Sequence, residues 1–336
     1  MQVAPADGHA GDATALATAR DPARPLRYPG PMKVRVGLGL ANFPFTDAGA
    51  FWRWIARCED STVDSIWQTD RLVSAAPQLE TMTTMAALAG GTRRLKFGMN
   101  VTVLAFRDPL VLARECATID FLSNGRLLPA FGVGPDIAPE WQATGRSPKG
   151  RGRRCDEALA IMARLWTGER VTFEGEHYHY RDAQISPVPV QRPLPLWIGG
   201  RSAAAIRRTA RLGTGWLGGV ESPEQVAPIV AAIARESAAA GRPIDPDHYG
   251  AAFGFRFGSW DEPVVERTAR VVSALAQSSD PRRHVAVGGA AEILARVEEF
   301  KAAGVSKFVL RPIARGDDDM MDQTERLVRE VLPHVH

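Results

Sequence analysis

Cysteine is scarce in this chain: Cys58, Cys116 and Cys155 are its three cysteines, widely spaced and without a CxxC pair. So sparse and odd a set argues against a disulfide framework or a zinc site and for a reducing compartment, so a cytoplasmic location is expected. The seven histidines show no HExxH spacing. His177 and His179, two apart in EGEHYHY, would share one face of a strand, and no metal is expected there. No apolar run approaches the roughly 20 residues that span a bilayer. The net charge of +3 is too small to imply nucleic acid as a partner. A hydrophobic content of 45% and a charged content of 24% are ordinary for a soluble globular protein. At 336 residues the chain fits two domains or one large α/β barrel.

Residues 1–31 are rich in Ala, Pro, Gly, Asp and Arg and lack the apolar core of a secretory signal. Asp7, Asp12 and Asp21 count against a transit peptide. A disordered N-terminal extension over 1–31 is expected, with the folded domain over 32–336 and Met32 as an alternative start.

From Lys33 the pattern alternates strand and helix. VRVGLGLANF reads as a buried strand, and Asp47 as the cap of a helix carrying Phe51, Trp54, Ile55 and Cys58 on one face. SIWQTD, LKFGMNVTVL and RLLPAFGVG supply three further strands, with Pro129 forcing a bulge or a short strand in the last. Asn124-Gly125 stops the helix opened by Pro109. Residues 135–192 interrupt the repeat with a long loop, a helix and a hairpin, VTFEGEHYHY. Strands follow at Leu194–Ile198, Gly215–Leu217, HYGAAFGFRF and VSKFVLRP, with a second excursion over 258–289. Eight such units close most naturally into a (β/α)8 TIM barrel with insertions after strands 4 and 7. The alternative is an open doubly wound sheet, which the lack of GxGxxG after the first strand disfavours in its dinucleotide-binding form.

Within this frame LPLWIGGRSAAAIRRTARLGTGWL (194–217) predicts a strand, a Gly199-Gly200 turn and a helix capped by Ser202. A glycine pair lets backbone approach a ligand, and the N–H groups that open the helix attract an anion. A tight connection with no ligand would use the same residues.

Four segments in order, RDPLVLARECATIDFLSNGR (107–126), DEALAIMARLWTGERVTFEGEHY (156–178), PVPVQRPLPLWIGG (187–200) and AVGGAAEILARVEEFKAAGVSKFVL (286–310), resemble the bacterial luciferase-like family of flavin- and F420-dependent oxidoreductases. The resemblance covers about Lys33 to Leu332. It implies a barrel with a flavin across its C-terminal mouth. It also implies that Gly199, Gly200, Arg201 and Ser202 hold the cofactor phosphate. Asn42 and Asp70 would face the ring or the substrate. Thr102 and Val103 match the family's bulge or cis peptide, and Gly132 and Gly134 would leave the flavin edge clear. Arg71 stands where relatives commonly carry histidine, Pro135-Asp136 replaces a glycine-rich stretch, and Thr214 replaces an aspartate. An arginine stays charged, so Arg71 would stabilise an anionic reduced flavin or an acidic substrate rather than shuttle protons.

The implied activity is a monooxygenase that uses reduced FMN, supplied by a separate flavin reductase, and oxygen on a small organic substrate. F420-dependent hydride transfer is the alternative, and a non-catalytic flavin-binding barrel a third. A homodimer is compatible with all of them. Asp70 and Arg71 are the catalytic candidates. Simpler readings remain open: Asp70 as a loop acid, Arg71 as a salt-bridge partner, Asn42 as a turn cap and Arg107 as a structural arginine. The basic run Lys149, Arg151, Arg153 and Arg154 is a solvated helix start or the seat of an acidic cofactor tail.

Overall fold

The computed structural model describes residues 33–335, so the extension expected over 1–31 lies outside the described residues. The chain runs β1 (Arg35–Leu40), α1 (Ala48–Glu59), β2 (Ser65–Gln68), α2 (Thr81–Gly91), β3 (Lys96–Met99), β4 (Thr102–Val103), α3 (Pro109–Leu122), β5 (Leu127–Leu128) and β6 (Ala130–Gly132). The interrupting segment holds α4 (Pro139–Ala143), α5 (Arg151–Trp166) and the antiparallel hairpin of β7 (Val171–Glu174) and β8 (His179–Ala183). Then come β9 (Trp197–Gly199), α6 (Ala203–Leu212), β10 (Gly215–Leu217), α7 (Pro223–Ala239), β11 (Tyr249–Phe257), α8 (Pro263–Ala276), β12 (Val285–Gly288), α9 (Ala290–Ala302), β13 (Lys307–Pro312) and α10 (Gly316–Glu330).

Outside the hairpin every strand pairing is parallel. β1 lies between β13 and β2, β2 pairs β3, and β3 pairs β5. Their continuations β4 and β6 pair in turn, and β6, β9, β10 and β11 lead back to β13. The result is an α/β fold on one curled parallel sheet. Trp67, Ala130, Trp197, Leu217, Ala252 and Val309, each from a different strand, pack together on its concave side. The convex side carries the larger cluster, where Trp54, Phe97, Phe131, Phe253 and Phe300 meet the helices. Two-sided burial explains why strands such as VGLGL read as continuous apolar runs.

Two strands are cut near their C-terminal ends. Pro129 separates β5 from β6, as its missing N–H predicts. LKFGMNVTVL is likewise not one strand: it breaks between β3 and β4, where the Asn100–Val101 peptide is cis. That places the cis peptide just before the Thr102-Val103 position expected for it. Leu194–Ile198 contributes only a late, short strand, β9. The last helix, α10, lies beyond the eighth expected strand, and buries Met320, Thr324 and Leu327 on one face.

Candidate active site

The C-terminal ends of the parallel strands gather most of the predicted residues, and glycine sets the local geometry. Val101, after the cis peptide, sits against β6 and β9. A Cβ added to Gly132 would lie 2.6 Å from Val101 Cγ2, and one on Gly199 would lie 2.9 Å from its Cγ1. Gly134, in the left-handed region at φ +74°, would meet Val103 Cγ1 at 2.9 Å. These glycines therefore make room for two valines of this chain. Val101 is in turn partly exposed at the strand ends.

Gly200 stands at φ +116°, which L side chains avoid, and a Cβ there would press on Ala205 at 3.1 Å. Trp216 Nε1 donates to the Gly200 carbonyl at 2.9 Å and fixes the turn. The Ser202 hydroxyl caps α6 by accepting the Ala205 N–H at 3.2 Å, and residues 200–204 are all exposed. The start of α6 is thus an open, positively polarised end with Arg201 beside it. Arg208 ties this helix to α5 through Asp156 at 2.5 Å and the Gly152 carbonyl at 3.1 Å. The adjoining start of α5 holds Arg151, ion-paired with Asp136.

Asp70 and Arg71 do not pair with each other. Asp70 is buried, and its carboxylate accepts from Arg107 Nη1 and Nη2 at 2.9 and 3.0 Å. It also accepts from the Val103 N–H and the Thr81 hydroxyl, each at 3.0 Å. One carboxylate thereby ties the end of β2 to β4, to α2 and to the loop before α3. Arg107 also reaches Glu80 at 2.7 Å. Burial alone would weaken its guanidinium as a base, but the two carboxylates outweigh this and hold its pKa above the usual value. Arg107 is a structural arginine here, and Asp70 is anchored rather than free.

Arg71 is half exposed and approaches Glu140 of α4, Nε to Oε1, at 3.4 Å. Glu140 is buried, and its Oε2 has no hydrogen-bond partner. Beside it Trp141 packs on Phe106 at 4.4 Å and donates to the Pro135 carbonyl at 3.0 Å. Two further buried polar atoms without partners, Asn100 Nδ2 and Thr102 Oγ1, flank Val101 in sequence. Asn42 is exposed in the loop after β1. The sequence weighs Arg107 as a structural arginine against an anion ligand, and does not point to Glu140 or Asn100; Glu140 follows Pro139 at a helix start, but that pattern alone predicts a cap and not a burial.

The basic run divides. Arg151 faces Asp136, Arg153 pairs with Glu176 at 3.0 Å, and Arg154 lines a cleft of about 420 Å³ with Arg107, Asp108, Arg146, Ser147 and Tyr178. Glu157 on α5 holds the β7–β8 hairpin by accepting the N–H groups of Glu176, His177 and Tyr178. Among the described residues no three His, Cys, Asp or Glu side chains gather to hold a metal ion, and no helix is long and apolar enough to cross a membrane.

The family model for luciferase-like monooxygenases matches residues 31–278, and the chain belongs to that family. An F420-dependent glucose-6-phosphate dehydrogenase of Amycolatopsis mediterranei is 32% identical over 174 residues, 49% of this chain and 51% of that protein. The chain thus spans about half the length of the curated relatives it matches. Two solved structures share the fold. An F420-dependent secondary alcohol dehydrogenase bound to an F420–acetone adduct has a TM-score of 0.77 at 20% identity, over 91% of this chain and 100% of the other. The oxygenating constituent of the 3,6-diketocamphane monooxygenase of Pseudomonas putida, bound to FMN, has a TM-score of 0.73 at 15% identity, over 91% and 99%.

Proposed function

We propose that this protein is an oxidoreductase that holds a phosphorylated flavin-type cofactor across the C-terminal ends of its strands and acts on a small organic substrate. The curled sheet then serves as a (β/α)8 barrel, its third and fourth strands being β3–β4 and β5–β6, with inserted segments at 135–192 and 258–289 covering the mouth. The observation that carries the reading is the open start of α6: a left-handed Gly200 that a Cβ would fill, exposed N–H groups and the Ser202 hydroxyl. Those groups suit a dianionic phosphate.

Arg201 would add its guanidinium to the phosphate, and Val101, seated between Gly132 and Gly199, would back the ring. Asn42, in the loop after β1, and Arg71 would face the ring or the substrate. Asp70 acts through Arg107 and the Val103 N–H, and is a positioning residue. The inserted segments exclude water, which strengthens each electrostatic contact inside. Bound FMN supplies oxygen activation in its reduced form, whereas F420 supplies hydride transfer. Monooxygenation with FMN, fed by a separate reductase, is the first reading. The F420-dependent relatives matching half the chain favour the second.

Fluorescence titration with FMN, riboflavin and F420 tests the proposal. Wild type should bind a phosphorylated cofactor at least about tenfold more tightly than riboflavin, one charge-assisted contact being worth roughly 1.5–3 kcal/mol. Gly200→Val should remove most of that preference by blocking backbone approach. Equal affinity for FMN and riboflavin would overturn the phosphate assignment, and binding of neither FMN nor F420 would overturn the whole reading.

A further inference from the structure

One partly buried cation near the strand ends makes almost no hydrogen bonds to the protein and stays open to the mouth. Arg311 lies on β13 two residues beyond Val309 and four beyond Lys307, so strand alternation turns all three to the concave side. Gly39 on β1 clears its path: a Cβ there would sit 3.0 Å from Arg311 Cγ and 3.7 Å from its Nε. A guanidinium carries five N–H donors. Arg311 makes a single hydrogen bond within the described residues, Nη1 to the Gly219 carbonyl at a long 3.3 Å.

Other arginines held in the interior are treated differently. Arg107 and Arg208 are each clamped by a carboxylate, and every guanidinium nitrogen of Arg126 donates to Ser123, Thr92, Leu95 or Ala89. Arg311 has no carboxylate within ion-pair distance among the described residues. Glu221 provides only a nearby field, because its Oε2 is committed to the N–H groups of Gly219 and Val220 at 2.7 and 3.1 Å. Burial pulls the Arg311 guanidinium down to about 10, with Glu221 opposing the shift, so it stays charged at neutral pH.

We propose that Arg311 is the specificity residue of the mouth and recognises an acidic group, a carboxylate, phosphate or sulfonate, on the substrate. The inference rests on the cofactor reading only in placing the reaction at this mouth. Its chemistry is the planar two-pronged match of guanidinium to an oxyanion, strengthened by low local dielectric. Glu221 serves as the counter-charge that the acidic group displaces electrostatically.

Calorimetric titration with sodium sulfate, inorganic phosphate and sodium benzoate tests this, using protein saturated with whichever cofactor it retains so that the α6 start is filled. Wild type should bind at least one of these anions saturably. Arg311→Gln should weaken that binding at least about tenfold, as expected for one hydrogen bond to a charged group, while cofactor affinity stays unchanged. Arg311→Lys should retain part of it. Glu221→Gln keeps the acceptor for Gly219 and removes the charge, so it should tighten anion binding about threefold; this variant and Arg311→Lys decide the matter if Arg311→Gln fails to fold. Which probe binds best separates carboxylate, phosphate and sulfonate chemistry. No saturable binding in wild type, or equal binding in Arg311→Gln and wild type, would refute the assignment. A loss of cofactor affinity in Arg311→Gln would also refute it, by making Arg311 a cofactor ligand. Failure to bind any cofactor strikes the oxidoreductase reading instead; sulfate binding to the cofactor-free protein, compared between wild type and Arg311→Gln, then still decides the role of Arg311.

Discussion

Replacing Asp70 with alanine should unfold the protein more readily before it reveals anything about catalysis. The carboxylate serves four donors: both terminal nitrogens of Arg107, the Val103 N–H and the Thr81 hydroxyl. Arg107 is 12% exposed at its side chain and would keep only Glu80 as a carboxylate partner. Removing one partner of a buried ion pair costs about 3–5 kcal/mol. At about 2–3 °C per kcal/mol for a large domain, Tm should fall by about 6–15 °C. Asp70→Asn keeps the shape and one acceptor oxygen, so its cost should be about half. Differential scanning fluorimetry and urea titration on cofactor-free protein measure both. The double variant Asp70→Ala with Arg107→Ala should show a coupling above about 1 kcal/mol, since the two share one hydrogen-bond network. A Tm within about 2 °C of wild type for Asp70→Ala would refute the anchoring role and return Asp70 to the catalytic candidates. Lost activity in an Asp70 variant would otherwise report a displaced β4 as readily as a missing acid.

Two further outcomes follow from the ion pairs. Arg71→Ala removes the half-exposed partner of Glu140; such a pair contributes about 1 kcal/mol at most, so limited proteolysis within 135–150 should quicken by up to about fivefold with Tm nearly unchanged, and an unchanged cleavage rate would show that Trp141 alone holds α4. Lys307, buried against Asp64, has a pKa that burial pulls down to about 8, below the roughly 10.4 of an unfolded lysine. The fold therefore bears the full cost of a buried cation below about pH 8 and is relieved of it as pH rises toward 10.4. The stability of wild type relative to Lys307→Met should climb across that window, and a flat difference would contradict the burial of a charged Lys307.

Periodicity made most of the fold legible. The helix face of Phe51, Trp54, Ile55 and Cys58 is buried as its spacing predicts, under the Asp47 cap. Pro129 announced its own strand break. The break at Asn100–Val101 carried no sign in its own residues, and only the family resemblance pointed to it, one position along the chain. Helix α10 follows the eighth strand, beyond the repeat that the strand–helix alternation predicts. At the site, glycine and serine positions were readable because their backbone roles are local. Partners were not: Asp70 is nearest in sequence to Arg71, yet Arg107, 37 residues on, is the cation that reaches it.

That difference explains why Arg311 was invisible as a sequence feature and prominent as a structural one. An arginine near the end of a strand has an ordinary local reading, and nothing in KFVLRP sets it apart. What marks it is a set of absences supplied by other strands: no side chain on Gly39, no carboxylate within ion-pair distance among the described residues, and an acidic neighbour already bound to its own loop. In a parallel α/β fold each strand end meets its neighbours only after long crossovers, so the composition of such a pocket is fixed by residues tens to hundreds of positions apart. The fold leaves a charged donor group partly open where strand ends converge, with one long hydrogen bond and no ion-paired carboxylate among the described residues, and that accessible, unpaired guanidinium is the observation that points to a ligand.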